Sequence, residues 1–215
     1  MKAKHKLIFF DLGGVVFQDI FSGGHASFVS YLGITKSKFL DIYTSTDDLL
    51  YSIGQINDED RWRFFIKGIG DGSRKLDKLI QLYLDSYSPI EETVDFLEKI
   101  KKDYPNVILG ILSDQPRSVA NLLRKKYNTI FSMFDEDYIF ISSEVGLSKR
   151  DSKKKLFKYA LKKSNSLSPI YIDDSMVHLK KAREVGLNGY FFDINNKSPN
   201  KLIDIFFKKY FIINN

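Results

Sequence analysis

Four places in the 215-residue chain put polar side chains at the end of an apolar run or at the start of a helix, where they can meet a charged ligand. Asp11 follows the run Lys6–Phe10 and precedes Gly13 and Gly14, so a carboxylate is thrust out at a strand end beside a backbone that can come close to a ligand. Ser113 and Asp114 follow Val107–Leu112. A serine there donates to a phosphate oxygen, helped by backbone N–H groups where the next helix begins. Asp173 and Asp174 follow Pro169–Ile172; two adjacent carboxylates repel unless a cation lies between them, and an all-oxygen donor set suits Mg2+. Lys149, in Glu144–Asp151, sits where a loop enters a helix. Each has an ordinary reading when taken singly: a turn aspartate, a helix N-cap, a capping pair, a solvated lysine. Their joint placement is what points to a site.

The elements that must position these groups alternate short apolar runs with helical patterns, which predicts a parallel sheet with crossover helices. The strands are expected at Lys6–Phe10, Val107–Leu112, Tyr138–Ser142, Ile170–Asp173 and Gly189–Phe192. A helix is expected from Ser88, with Ser88 as N-cap, Pro89 in the first turn and Glu91 at capping-box spacing. Others are expected at Pro116–Tyr127, Asp151–Lys163 and Ser175–Val185, with Gly186 capping the last. From Gln18 to Tyr87 the pattern is helical throughout, with one apolar stripe at Phe28, Tyr31 and Leu32 and another at Trp62, Phe65, Ile66 and Ile69. A simple crossover is far shorter. The expected fold is therefore α/β, a Rossmann-like parallel sheet with helices on both faces and an inserted all-helical cap. Residues 1–17 and 88–215 form the core domain, and 18–87 the cap over the carboxyl end of the sheet. If the other strands flank the first, Asp11, Ser113, Lys149 and Asp173–Asp174 converge on one crevice.

The sequence resembles the haloacid dehalogenase (HAD) superfamily along nearly its whole length. Phe10–Val16 is similar to that family's first motif, Ile111–Asp114 to its second, and Ser143–Asp151 to its third. Tyr171–Ser175 followed by Ala182–Gly186 is similar to its fourth. The resemblance implies that Asp11 is a nucleophile forming an aspartyl-phosphate, that Ser113 and Lys149 hold phosphoryl oxygens, and that Gly14 and Asp114 lie against the substrate. It also implies Mg2+ held by Asp11, the Gly13 carbonyl and Asp174, with Asp173 acting directly or through water. Two departures stand out. Arg150 replaces the usual proline of the third motif. Gly13 replaces the aspartate that ordinarily serves as acid/base two residues after the nucleophile, so esters with good leaving groups are favoured. A branch carrying Asp-Leu-Gly in this motif includes sugar-1-phosphate phosphatases. Asp19, where the helical stretch begins, lies within reach as a replacement acid. The expected activity is a Mg2+-dependent phosphatase of a small phosphorylated metabolite. The alternatives are a catalytically weak binding or regulatory homologue and a dehalogenase, whose halide leaves without a proton.

Composition narrows the field further. No cysteine is present, which excludes disulfides, thiolate metal sites and cysteine nucleophiles. The apolar run after the basic amino terminus is too short for a signal peptide and no run is long enough to span a bilayer, so a cytoplasmic protein without membrane attachment is expected. The net charge of +6 comes from lysines spread along the chain among 27 acidic residues, with no nucleic-acid motif, so no nucleic-acid partner is expected. His5, His25 and His178 lack metal-ligand spacing and are read as surface or cap residues.

Overall fold

The computed structural model describes residues 6–45, 48–164 and 169–193. His5 and the carboxyl-terminal part of the 88–215 assignment fall outside these residues. The chain opens with strand β1 (Lys6–Phe10), a two-residue strand β2 (Phe17–Gln18) and a π-helical turn (Ile20–Gly24). Helices α1 (His25–Leu32), α2 (Lys36–Ser45), α3 (Asp48–Ser52), α4 (Asp58–Ile69) and α5 (Leu76–Asp85) follow. Strand β3 (Ser88–Pro89), helix α6 (Glu91–Asp103), strand β4 (Val107–Ser113) and helices α7 (Arg117–Lys126) and α8 (Asn128–Phe131) come next. The described chain continues through β5 (Ile139–Ile141), α9 (Ser142–Val145), α10 (Lys155–Lys163), β6 (Ile170–Asp173), α11 (Met176–Arg183) and β7 (Asn188–Phe191).

Five strands form a parallel sheet in the order β5-β4-β1-β6-β7, so β1 is central as the crevice requires. Phe10 is paired with both Ile111 and Ile172, which brings the carboxyl ends of three strands to one edge. The period of two along each strand divides the core in two. Ile8, Phe10, Leu109, Ile111, Ile139, Ile141, Ile170 and Ile172 face one apolar cluster. Leu7, Phe9, Leu112, Phe140 and Tyr171 face the other, with Leu156 and Phe157 of α10 and Leu179 and Ala182 of α11. Burial on both faces is why the strands read as continuous apolar runs.

Several boundaries differ from the sequence reading; the strand expected at Tyr138–Ser142, for one, spans Ile139–Ile141 because Ser142 opens α9. Ser88 and Pro89 do not open a helix: they pair antiparallel with Gln18 and Phe17, Ile90 donates its N–H to the Val16 carbonyl, and α6 starts at Glu91. Pro89 is tolerated because this two-stranded ladder needs few donors. Residues 151–154 form a turn instead of the first turn of α10; Asp151 takes the N–H groups of Lys153 and Lys154, and Lys154 is left-handed at φ 57°. The β7 boundary moves by one residue, to Asn188–Phe191.

The helices between β2 and β3 pack on an aromatic nucleus. Trp62 is fully buried, stacked on Phe28 at 5.3 Å and edge-on to Phe65 and Tyr83 at 5.2 and 5.4 Å. This nucleus is continuous with the sheet cluster containing Phe10. Trp62→Ala is expected to lower the unfolding free energy by about 3–5 kcal/mol, read as a lower urea midpoint. Among the described residues, no helix is long and apolar enough to cross a membrane.

Candidate active site

Asp11 extends β1 by one residue: its N–H donates to the Ile172 carbonyl, and the carboxylate stands at the sheet edge. Its Oδ1 accepts from Ser113 Oγ at 2.6 Å and from the Leu12 N–H at 2.8 Å, and Lys149 Nζ donates to its Oδ2 at 2.7 Å. Lys149 is 1% exposed, so it is not the solvated lysine that the composition favours. Its ammonium also donates to Asp173 Oδ2 at 3.0 Å and to Tyr171 Oη at 3.1 Å. It comes from a turn after α9, not from a helix start. Asp114 fastens that turn, its Oδ1 accepting the Lys149 N–H at 2.9 Å and its Oδ2 the Ser148 hydroxyl at 2.6 Å. Asp114 is thus engaged with the loop it positions.

The convergence expected from the sequence is present: Asp11, Ser113, Lys149 and Asp173 lie in one hydrogen-bonded group, and Asp174 adjoins it. Two members are turned differently from the expectation. Ser113 is wholly buried behind Asp11, and its hydroxyl donates to that carboxylate instead of facing a ligand. Gly14 spends its N–H on the Phe17 carbonyl at 2.8 Å, because the chain turns back there at φ 73°. Asp173 sits behind Lys149 with Oδ1 accepting the Ser175 N–H at 2.7 Å and Oδ2 taking the Tyr171 hydroxyl. Asp174 lies across Gly14 and opens on the crevice.

That crevice, about 480 Å³, is lined by Asp11, Gly13, Asp19, Lys149 and Asp174 at its base and by Phe21, Tyr43, Tyr83 and Tyr87 from the helical segment. The helices are tied to the sheet edge on the other side: Ser142 Oγ donates to the Ser52 carbonyl, and Arg150 pairs with Asp48. Arg150 also lies 3.5 Å from Asp114.

The charges are unbalanced. Burial pushes the Asp11 carboxyl well above its ordinary range against the pull of Lys149, and Asp173 and Asp174 push the same way. Burial acts upward on Asp173 too, but Lys149, His178 and Tyr171 outweigh it and hold that carboxyl low. Burial, Asp173 and Asp19 push Asp174 up to about 7. Burial would lower Lys149, yet Asp11 and Asp173 raise it, so it stays an ammonium. Three carboxylates therefore share one ammonium, and an all-oxygen group with surplus negative charge fits a hard divalent cation. Asp11 and Asp174 face the open side where such an ion would be held.

Four side chains escaped the sequence reading. His178 is no surface residue: it is half-buried with Nδ1 3.3 Å from Asp173 Oδ2, because the first turn of α11 folds back over the end of β6. A ligand atom of His178 lies within 4.8 Å of those of Asp11 and Asp173. His25 instead keeps to the helical segment, with Nδ1 3.2 Å from the Ile20 carbonyl. Tyr171 was legible in principle, being two residues from Asp173 and so on the same face of β6. Gln115 accepts the Tyr87 hydroxyl at 3.0 Å across the crevice, and Asp48 holds Arg150. Neither contact leaves a local signal.

No family model matches the chain. An uncharacterized protein of Saccharomyces cerevisiae is 28% identical over 164 residues; the match covers 66% of this chain and 53% of that protein, so the chain spans about half the length of this relative. A HAD-family enzyme of Bacteroides thetaiotaomicron has a similar structure, with a TM-score of 0.70, 18% identity and coverage of 90% of this chain and 96% of that one. Its complex with magnesium and inorganic phosphate gives a TM-score of 0.67 at 18% identity, covering 89% and 96%. A dehalogenase is similar at a TM-score of 0.64 and 17% identity, covering 92% and 88%. At such identities the likeness is one of fold alone, and a fold shared with a HAD-family enzyme and with a dehalogenase does not by itself name a chemistry.

Proposed function

We propose that the chain is a member of the haloacid dehalogenase superfamily and a Mg2+-dependent phosphomonoesterase acting in the cytoplasm on a small phosphorylated metabolite. One observation carries the reading: a buried aspartate at the centre of the sheet edge, gripped by a buried lysine, opens on a crevice of ligand size. The Bacteroides neighbour solved with magnesium and inorganic phosphate supports it. Residues 18–87 act as a cap domain whose aromatic wall selects the substrate.

Asp11 attacks phosphorus in line and becomes an aspartyl-phosphate, which water then opens. Ser113 orients Asp11 through its 2.6 Å hydrogen bond. Lys149 offsets the charge of nucleophile and phosphate, and Asp173 and Asp114 hold Lys149 in place. Asp11, Asp174 and the Gly13 carbonyl would hold Mg2+, which would supply the positive charge the carboxylates lack. A sugar 1-phosphate is the finer reading, supported by the Asp-Leu-Gly motif. The acidic pair at 173–174 favours this over dehalogenation, which calls for no metal.

A panel of phosphorylated metabolites assayed with Mg2+ and with chelator tests the reading. Phosphate release that needs both the metal and Asp11 is expected. Release of halide from a haloacid, indifferent to chelator, would replace it, and silence across the panel would leave a binding homologue. Gly14→Ala forces a side chain into Asp174 Oδ2 at a left-handed backbone position. It is expected to weaken Mg2+ binding by about 10–100-fold in a calorimetric titration.

A further inference from the structure

Residue 13 lacks a side chain, yet the space that side chain would fill is not empty. A Cβ built on Gly13 would stand 2.6 Å from Asp19 Oδ2 and 3.2 Å from Gln115 Nε2. The backbone itself does not require glycine at this point: Gly14 has a positive φ and Gly13 does not. The carboxylate of Asp19, reaching in from the start of the helical segment, occupies the place where a side chain on residue 13 would begin.

Asp19 is fixed for this placement. It caps the π-helical turn, and its Oδ1 accepts from the N–H groups of Phe21 and Ser22 at 3.0 and 2.8 Å and from Ser22 Oγ at 2.8 Å. Those contacts occupy one oxygen and aim the other. Oδ2 has no hydrogen-bond partner among the described residues, and Asp19 lines the same crevice as Asp11. Gln115 borders the same space, its amide oriented by the Tyr87 hydroxyl on Oε1, which leaves Nε2 toward Gly13.

We propose that Asp19 is the acid/base of this site, a carboxyl delivered by the helical segment into the place left open by Gly13. The inference rests on the phosphomonoesterase reading. In the first step the P–O bond to the leaving group breaks as Asp11 bonds to phosphorus, and the Asp19 carboxyl gives its proton to the departing alkoxide. In the second, the Asp19 carboxylate takes a proton from water as the water oxygen bonds to phosphorus and the Asp11–phosphorus bond breaks. The sum is ester plus water giving alcohol and phosphate, with Asp11 and Asp19 restored. The constraint to good leaving groups that Gly13 implies is thereby lifted, and primary alkyl phosphates come within range.

The test compares a primary alkyl phosphate with 4-nitrophenyl phosphate, whose leaving group departs without a proton. Asp19→Asn keeps the oxygen that caps the turn, since asparagine caps as well as aspartate, and removes only the acid. Its kcat/KM is expected to fall about 10²–10⁴-fold on the alkyl ester and by under about tenfold on the nitrophenyl ester. The double variant Gly13→Asp/Asp19→Ser moves the carboxyl to residue 13 and vacates its present place. It is expected to recover at least about tenfold of the alkyl-ester loss. Equal losses on both esters, or none on the alkyl ester, would overturn the assignment. If the unaltered protein releases no Asp11-dependent phosphate from either ester, the phosphomonoesterase reading falls and takes this one with it.

Discussion

Asp11→Asn is expected to reduce phosphate release by at least about 10³-fold while leaving the fold intact. An amide cannot attack phosphorus, yet turned with its Oδ1 toward the Lys149 ammonium it still accepts the hydrogen bond that now measures 2.7 Å. The same change should leave the protein at least as stable in chelator at neutral pH. An acid whose carboxyl is pushed above its ordinary value by folding costs stability once the pH exceeds that ordinary value. Removing the acid removes the cost. Loss of turnover paired with an unchanged or higher urea midpoint would mark Asp11 as a residue kept for chemistry at the expense of the fold. An unfolding free energy several kcal/mol lower would show that it is held for structure instead.

Lys149→Met should fail in both respects. The methionine fills similar volume but leaves Asp11 and Asp173 buried face to face, and breaking a buried ion pair from one side costs about 3–5 kcal/mol. The pH dependence follows from Asp173. Its carboxyl is held low when folded, so the stability it contributes is present above the ordinary carboxylate value and is lost as pH falls toward the folded value. Without Lys149 that contribution disappears. The deficit of the variant, measured by urea unfolding in chelator, should therefore be greatest near pH 7 and shrink as pH falls to about 4, where the freed carboxyls take up protons. Phosphate release should fall by about 10²–10³-fold, since the cation facing the transferred group is gone. A deficit that does not change with pH would mean that Lys149 matters for packing alone.

Most of the sheet could be read from the chain because its inner strands, buried on both faces, are continuous runs of apolar residues. The central place of β1 was a condition of the convergence, and the pairing of Phe10 with both Ile111 and Ile172 meets it. Asp11, Asp173 and Asp174 were legible because a strand end fixes where the next residue points. Ser88–Pro89 misled because serine and proline favour a helix start locally, whereas pairing with Phe17 and Gln18, distant in sequence, decides their conformation. Lys149 was found by motif, but its burial depends on Asp114 and Asp173, from two other strands. His178, Gln115 and the direction of Asp19 are products of the folded chain. No spacing rule relates Asp19 Oδ2 to the missing side chain of Gly13.

The short ladder of β2 and β3 has a consequence for how such a protein can change over generations. Phe17 stands opposite Pro89, so the chain leaves the sheet and returns to it at almost the same point. Whatever is spliced between those residues can be lengthened, trimmed or exchanged without re-threading the strands that carry Asp11, Lys149 and Asp174. Two ties limit the exchange: the aromatic nucleus around Trp62 merges with the sheet cluster, and Asp19 arrives with the segment. A lineage that replaced these helices would have to supply a new proton donor at the same moment, or place an aspartate at residue 13. Gly13 and the helices therefore form one heritable unit, and a change in either exposes the other to selection.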